Sequence, residues 1–472
     1  MESPSVGDDH QVMAPTNLPF LRRNNPFIQN LLVSACLFFN PGLYLAITLL
    51  GAGGGRPSSV VMADTSNGVL YGVFAFSAML ASTLLNTVGP RPTMLFAITG
   101  YPMYTGSLWY FDAHGELWFP VFAGAYLGLS AGCLWTTAAF VGNTYPEEKD
   151  KGTWRAIQWS SNIGGATVGG CVALGINWNA TTLGVPDSVY IIFIVLQCAS
   201  LGFAMLLLPP KDLVRPDGTH IADFEKVSIK KSLSYTTKLF TDWRILLMLP
   251  TFFAPEMFFP LQSSINAYAF SLRTRSLNAV LGSFIQIPTS VAMGYILDNE
   301  KFGRRKTRAF IGIAIDAIWI TGAYIAQTVW LASWKFDRSV EGPSIDVSDA
   351  AYPGAIIIYL FYATQYGIFQ NLVIWLFGTL TNDPPRQSAM GGLFVGLLSA
   401  GTAVSFGTDA TAQPYENENA AYFALSTLYT VIVPVHVRKE LHEKVLFDGN
   451  INLPGDIESK GTKKDLGTII KE

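Results

Sequence analysis

Twelve stretches of predominantly apolar residues, each long enough to cross a bilayer, occupy most of this 472-residue chain. A spanning helix needs about 20 such residues, because hydrocarbon offers no water to backbone polar groups and every N–H and C=O has to be satisfied within the helix. The runs fall roughly at residues 29–50, 68–88, 93–111, 117–142, 155–176, 188–208, 244–261, 276–298, 307–330, 352–377, 388–407 and 420–437, the seventh being the shortest. Hydrophobic residues make up 50% of the chain and charged residues 14%, a balance that a soluble protein of this length could hardly keep in solution. The expected fold class is an all-α membrane protein of twelve transmembrane helices in two six-helix bundles.

The charges are sorted along the chain. With the N-terminus inside, the inner segments hold 26 of the 31 Lys and Arg residues, and the outer loops hold five: Arg56, Arg273, Arg275, Lys335 and Arg338. That asymmetry predicts cytosolic termini by the positive-inside rule, in the plasma membrane or an endomembrane. The net charge of −3 then says little, and no nucleic-acid partner is indicated. Residues 1–27 have no apolar core followed by a cleavage site, so no signal peptide is expected and the first span directs insertion. All four cysteines fall in apolar spans, where thiols act as small hydrophobes, and the five histidines are scattered. Neither a disulfide nor a metal site nor an organic cofactor is expected.

The expected organisation is a cytosolic tail (1–28), a first six-helix bundle (29–208), a polar cytosolic linker (209–243), a second bundle (244–438) and a solvated C-terminal tail (439–472). Three spans carry small residues at every fourth position: Gly124, Gly128 and Gly132; Ser161, Gly165 and Gly169; Gly392, Gly396 and Ala400. Such stripes let helix backbones approach closely where lipid removes the hydrophobic drive between helices. They predict packing, and the sharper alternative is a sliding contact between the two halves.

Some motifs invite misreading. Gly128-Leu129-Ser130-Ala131-Gly132 has the spacing of a nucleophile elbow but sits within an apolar helix with no partner His and Asp, and no nucleophile, base and oxyanion set converges anywhere. Gly51 to Arg56 is glycine-rich yet lacks the Lys-Ser/Thr of a phosphate loop, on the predicted outer side. Asn179-Ala180-Thr181 is an N-glycosylation acceptor in a predicted outer loop, in agreement with the charge count.

A loop running from Asp298 through Gly303 to Arg304, Arg305 and Lys306 lies between the eighth and ninth spans, and a reduced copy with Asn86, Gly89 and Arg91 follows the second. Its appearance once in each half implies a duplicated bundle. A carboxylate, a glycine and guanidinium groups at a helix junction can bridge neighbouring helix ends through charge-assisted bonds, which reads as a conformational latch. The alternative is that its cations serve topology alone.

These two loops resemble the signature loop of the major facilitator superfamily. More specific strings resemble its fungal Unc-ninety-three-like branch: Asn40-Pro41-Gly42-Leu43, Gly128 through Trp135, Pro209-Pro210 leading to Arg215-Pro216-Asp217-Gly218, Arg273 through Asn278, Thr381-Asn382-Asp383-Pro384 and Ser399-Ala400-Gly401. The resemblance runs from the first span to the last. It departs at Val395 and Thr408, where relatives often carry cations, and at Glu256, where they usually carry small or amide residues. It implies secondary transport of a small solute by alternating access; the alternative is a membrane regulator or chaperone that binds another membrane protein.

The resemblance also implies a central cavity lined by the first, fourth, seventh and tenth spans. The candidate cavity residues are Asn40 and Tyr44, then Tyr126, Trp135 and Thr136, then Glu256 and Gln262, and finally Tyr359, Tyr362, Gln365, Tyr366 and Gln370. Hydroxyls and amides of this kind bind an uncharged or aromatic solute, or else only join helices. A carboxylate inside an apolar span is costly, so Glu256, between Pro255 and Pro260, is expected to face a cavity and to carry a proton; the alternative is an inert acid that stays protonated or snorkels. Asp316, in the ninth span, is the second intramembrane acid; a structural hydrogen bond is its competing role.

Overall fold

The computed structural model describes residues 18–49, 59–147, 149–178, 186–216, 218, 220, 221, 227–378 and 383–440. The first helix, α1 (Pro26–Leu37), starts where the Asn25 side chain accepts from the Phe27 N–H and where Pro26 takes a position at which a missing N–H costs nothing. It passes through a π-helical turn at Phe38–Gly42, containing Pro41, into α2 (Leu43–Leu49). Then come α3 (Ser59–Val88), α4 (Pro90–His114), α5 (Trp118–Thr144), α6 (Lys151–Asn177), and α7 (Asp187–Ala199) running on into α8 (Leu201–Met205). The linker contains α9 (Ile229–Leu239). Beyond it, α10 (Trp243–Phe253) and α11 (Phe258–Ala269) form one interrupted passage, and α12 (Leu272–Phe284) and α13 (Gln286–Asp298) another. The chain closes with α14 (Arg305–Trp334), α15 (Tyr352–Gly378), α16 (Pro384–Asp409) and α17 (Tyr415–Glu440).

Among the described residues, nine passages are long and apolar enough to cross a membrane. The helices α4, α6 and α17, of 25, 27 and 26 residues, have the length but not the apolarity. The reason in α6 is that Lys151, Arg155, Gln158 and Asn162 are buried inside the protein and so need no apolar character. Lipid-compatible side chains point outward instead, with Phe76, Ile318 and Val431 at least two-thirds exposed.

The seventh passage is not the shortest, as the apolar run suggested, but extends over Trp243–Ala269. Its second part is hidden from a hydropathy reading by Gln262, Ser263, Ser264 and Asn266, which face the protein interior or its edge. The interruption at residues 254–257 has a covalent cause, since Pro255 has no N–H to continue the ladder and α10 ends with the Ala254 N–H bonded to the Pro250 carbonyl.

Each small-residue stripe meets a different neighbour. On α5, Gly124 and Gly128 lie against the Ser66 and Leu70 carbonyls of α3; on α6, Gly165 and Gly169 lie against Phe38 and Ala46 of the first passage. The α16 stripe crosses between the halves: a Cβ at Gly392 would stand 2.5 Å from the Ala78 carbonyl oxygen, and one at Gly396 2.6 Å from that of Ala75. Packing of α6 against α12 and α13 forms the matching seam on the other side of the bundle. The glycine-rich segment Gly51–Arg56 and the acceptor Asn179 lie outside the described residues.

Candidate functional site

A cavity of about 120 Å³ opens between the halves, with walls from both. On α15, Tyr359, Ala363, Tyr366, Gln370 and Ile374 line it, a spacing of three and four residues that keeps one helix face turned inward. The first passage contributes Tyr44, α5 contributes Trp135, and the seventh passage contributes Glu256 and Gln262.

Glu256 sits in the break between α10 and α11, where the interrupted helix lets its carboxylate reach the cavity. The Thr402 hydroxyl of α16 donates to its Oε2 at 3.0 Å. Beside it the Tyr366 hydroxyl, which accepts from Gln370 Nε2 at 2.8 Å, completes a polar strip. The Tyr44 and Tyr71 rings stand on the opposite, N-terminal side of the same space.

The second charge in the cavity is Arg155, one turn into α6 and 4% exposed. Its Nη1 donates to Gln158 Oε1 and, at 3.4 Å, to the Ala138 carbonyl, while its buried Nε meets no acceptor. No carboxylate lies within 4.0 Å of the guanidinium among the described residues. Trp159 Nε1, Asn162 Oδ1 and Gln286 Oε1 are likewise buried without a partner and belong to the same lining. An unsatisfied buried polar group costs about 1–3 kcal/mol, more for a charge, so this cluster is expensive as it stands. Between the two charges runs a file of rings, Trp135 to Trp159 at 6.4 Å, Trp159 to Tyr366 at 4.8 Å and Tyr366 to Phe258 at 5.5 Å between centroids.

The other candidates go elsewhere. Asn40 donates to the Cys36 carbonyl and to Ser200 Oγ, tying the π-turn to the sixth passage. Tyr126 pairs with Thr99 on α4, and Thr136 donates to the Ala78 carbonyl of α3. Tyr362 turns away from the cavity to Asn419 and the Tyr324 ring, and Gln365 lines a smaller cleft beside Thr251 and Ser426. Asp316 is fully buried in α14, outside the cavity lining.

The loop residues gather at the end of the bundle that carries α9. Asp298 accepts from the backbone N–H groups of Gly152, at 2.9 Å, and Thr153, so a carboxylate of one half caps the first turn of α6 in the other. Asn86 donates to Ser232 Oγ at 3.0 Å and to the Pro385 carbonyl at 3.4 Å, crossing the seam in the opposite direction. Lys151 reaches the Gly378 carbonyl from the other half. Of the loop cations, Arg91 binds the Leu207 carbonyl, the Arg305 guanidinium lies over the Trp375 ring, and Lys306 binds the Arg438 carbonyl, each a contact within its own half. Arg304 is exposed at the start of α14, and Gly89 and Gly303 take positive φ, 91° and 101°, where a side chain would be strained. At the far end Arg338 binds Asp409 and Glu418, each at 3.1 Å, over the Tyr415 ring, and the Tyr71 and Phe406 rings meet across the seam.

Comparison with known proteins gives this arrangement a lineage. A family model described as "Ion channel regulatory protein UNC-93" matches residues 64–295. An uncharacterized membrane protein of Schizosaccharomyces pombe is 38% identical over 84% of this chain and 81% of its own length. UNC93-like protein 1 of Arabidopsis thaliana is 30% identical over 87% of this chain and 90% of its own. The chain belongs to the UNC93-like family. Among solved structures, the major facilitator transporter FucP in its outward conformation superimposes with a TM-score of 0.60 at 10% identity, covering 89% of this chain and all of that one. This UNC93-like chain therefore has the major facilitator fold.

Sequence reading missed Arg155 in this UNC93-like site. It lies at the first residue of the fifth apolar run and was absorbed into the count of inner cations, although a guanidinium one turn inside a helix that also carries Gln158 and Asn162 at three- and four-residue spacing marks an inward polar face. No group of three or more His, Cys, Asp or Glu side chains that could hold a metal ion occurs among the described residues.

Proposed function

We propose that this UNC93-like protein is a secondary transporter that carries a small organic solute through the central cavity by alternating access, without an organic cofactor. The observation that carries the reading is the cavity itself: a mostly apolar chamber shared by both halves, with Glu256 on one wall and Arg155 on another. A binding chamber at the junction of two repeats is where alternating access requires it. The Asp298 and Asn86 bonds would then hold one end shut while the other opens. Both termini and the linker are cytosolic in this reading, supported by Arg22, Arg23, Lys151, Lys230, Lys231 and Lys306 all lying toward the same end. Residues 29–208 and 244–438 are the two moving bundles. Asn179 then faces the lumen or exterior.

Glu256 is the proposed proton carrier. A break in the helix lets its hydration change with conformation, so that it binds a proton on one side and releases it on the other. In proteoliposomes, Glu256→Gln is expected to abolish solute accumulation driven by a pH gradient while sparing solute counter-exchange. Full accumulation by the variant would remove Glu256 from the cycle and turn attention to Asp316. The description of the family model supports a second reading, a membrane regulator that binds another membrane protein. Proteoliposomes holding the purified protein alone separate the two, because a regulator moves no solute.

A further inference from the structure

This inference rests on the transport reading and names what the cavity takes. We infer that the site binds a small aromatic monocarboxylate, its carboxylate on Arg155 and its flat ring in the file of Trp135, Trp159 and Tyr366, and that one proton travels with it on Glu256.

Chemistry at one end selects an anion. A guanidinium stays protonated in any protein setting and presents a planar fork of donors matched to a carboxylate. Arg155 lines the cavity and commits Nη1 to Gln158 and the Ala138 carbonyl, and its Nε is buried without an acceptor. The Trp159 Nε1–H, also without an acceptor, is a second donor for the same ligand. The rest of the wall is aromatic and aliphatic, which suits a flat apolar body.

Charge fixes how many anions enter, and with what. The groups facing Glu256 are Tyr44 on the first passage, Tyr71 on α3, Tyr366 on α15 and the Thr402 hydroxyl on α16. None of them is cationic, so Arg155 is the positive charge that shares the cavity with Glu256. Of the ionisable groups near either end, Lys151 is engaged with the Gly378 carbonyl, Asp298 with the α6 N-terminus, and Asp409 and Glu418 with Arg338, while Asp64 stands beside Asp409 and Arg338 and outside the cavity lining. The empty site therefore balances one guanidinium against one carboxylate. A solute carboxylate brings a second negative charge into a low-dielectric space, and a proton from the entry side onto the Glu256 carboxylate restores neutrality. Anion and proton then bind with positive coupling, each raising the affinity for the other. A dianion would leave a charge over, and an amine would leave Arg155 without a counter-charge.

The test uses the purified full-length protein with three probes of one shape: 3-phenylpropionate, 3-phenylpropanamide and 3-phenylpropylamine. Binding is read from quenching of intrinsic tryptophan fluorescence, and proton uptake from a pH indicator in weak buffer. The acid is expected to bind at least about tenfold more tightly than the amide or amine, with about one proton taken up per acid bound. Arg155→Gln is expected to weaken the acid by about tenfold or more and leave the amide unchanged, with Arg155→Lys intermediate because it keeps the charge and loses the fork. Glu256→Gln is expected to bind the acid with no proton uptake. Arg155→Lys also serves should Arg155→Gln fail to run as a single species on size exclusion. Equal affinity for acid and amide, undiminished acid binding in both Arg155 variants, or no binding of the acid at all would overturn the inference. If the binding pattern holds but proteoliposomes do not accumulate 3-phenylpropionate under a pH gradient, the transport reading fails and the site stands. Accumulation of the amine in place of the acid has the reverse meaning.

Discussion

Two side chains at the same end of the molecule do the same work with opposite chemistry. Asp298, at the end of α13, accepts from the first turn of α6, whereas Asn86, at the equivalent place on α3, donates to the first turn of α16. The difference follows from the partners. The α6 turn offers the N–H groups of Gly152 and Thr153, so a carboxylate is satisfied there and also meets the positive end of the helix dipole. The α16 turn begins Pro384-Pro385, which has no N–H at either position and presents a carbonyl. A carboxylate at residue 86 would have only the Ser232 hydroxyl to accept from and would face the Pro385 carbonyl, whereas an amide donates to both. What reads in the sequence as a worn copy of the Asp298 loop is a clasp fitted to a proline-led helix. Deprived of backbone donors, that helix is held by a side chain instead, Arg386 to Asp242 at 2.9 Å.

Exchanging the two chemistries breaks the comparison most severely. Asn86→Asp puts a charge at a site that is 1% exposed, facing the Pro385 carbonyl, and is expected to destabilise the protein by about 3 kcal/mol or more. Thermal unfolding of the purified variant measures this. Pro385→Ala, which supplies an N–H, is expected to recover part of the loss in the double variant, and no recovery would mean that the prolines do not select the amide.

Asp298→Ala removes both acceptors from α6 and is expected to cost the closed end about 2 kcal/mol, with Asp298→Asn costing about half of that. The readout is the labelling rate of a cysteine placed at Ala139 in the cavity, attacked from the α9 end, which should rise in the order wild type, Asn, Ala. Arg304→Ala, on an exposed residue, should leave that rate unchanged; a rise equal to that of Asp298→Ala would make the whole loop, and not its carboxylate, the clasp.

The smallest effect belongs to Asp242. The hydrogen bond from Arg244, with help from Arg386, holds its carboxyl below the usual carboxylate range. A depressed value in the folded state means that the stabilisation is fully present above the ordinary carboxylate value of about 4 and is lost as the pH falls below it. Asp242→Asn is therefore expected to cost less than about 1 kcal/mol at neutral pH, for a partly exposed pair, and the gap from wild type should close on acidification below about pH 4. A gap that persists there would assign the effect to packing.

Much of this was legible in the chain before folding. Apolar runs marked the helices, and the small-residue stripes marked close helix packing, but only the structure shows that the α16 stripe is the one that meets the α3 carbonyls across the halves. Glu256 announced itself as an acid between two prolines. Arg155 did not, since hydropathy weighs a cation the same whether it caps a helix in water or lines a chamber one turn deeper. Tyr362 and Gln365 misled for the converse reason: the spacing from Tyr359 placed three tyrosines on one helix, but the inward face of α15 runs through 359, 363, 366, 370 and 374 and leaves 362 and 365 on its flank. Composition says that a hydroxyl is present, and only the phase of the helix says what it sees.

The linker helix α9 packs against both α3 and α16, with Ser232 bonded to Asn86 and Thr236 facing Ser82. A segment docked on both sides of a seam raises the effective concentration of one side for the other, as a bivalent ligand does. Opening that end must therefore release α9 from at least one helix, so the connection between the halves works as a spring loaded toward closure. Lengthening or cutting the chain between α8 and α9 would leave those contacts possible, whereas replacing the hydroxyls at residues 232 and 236 would slacken the spring with the covalent tether intact.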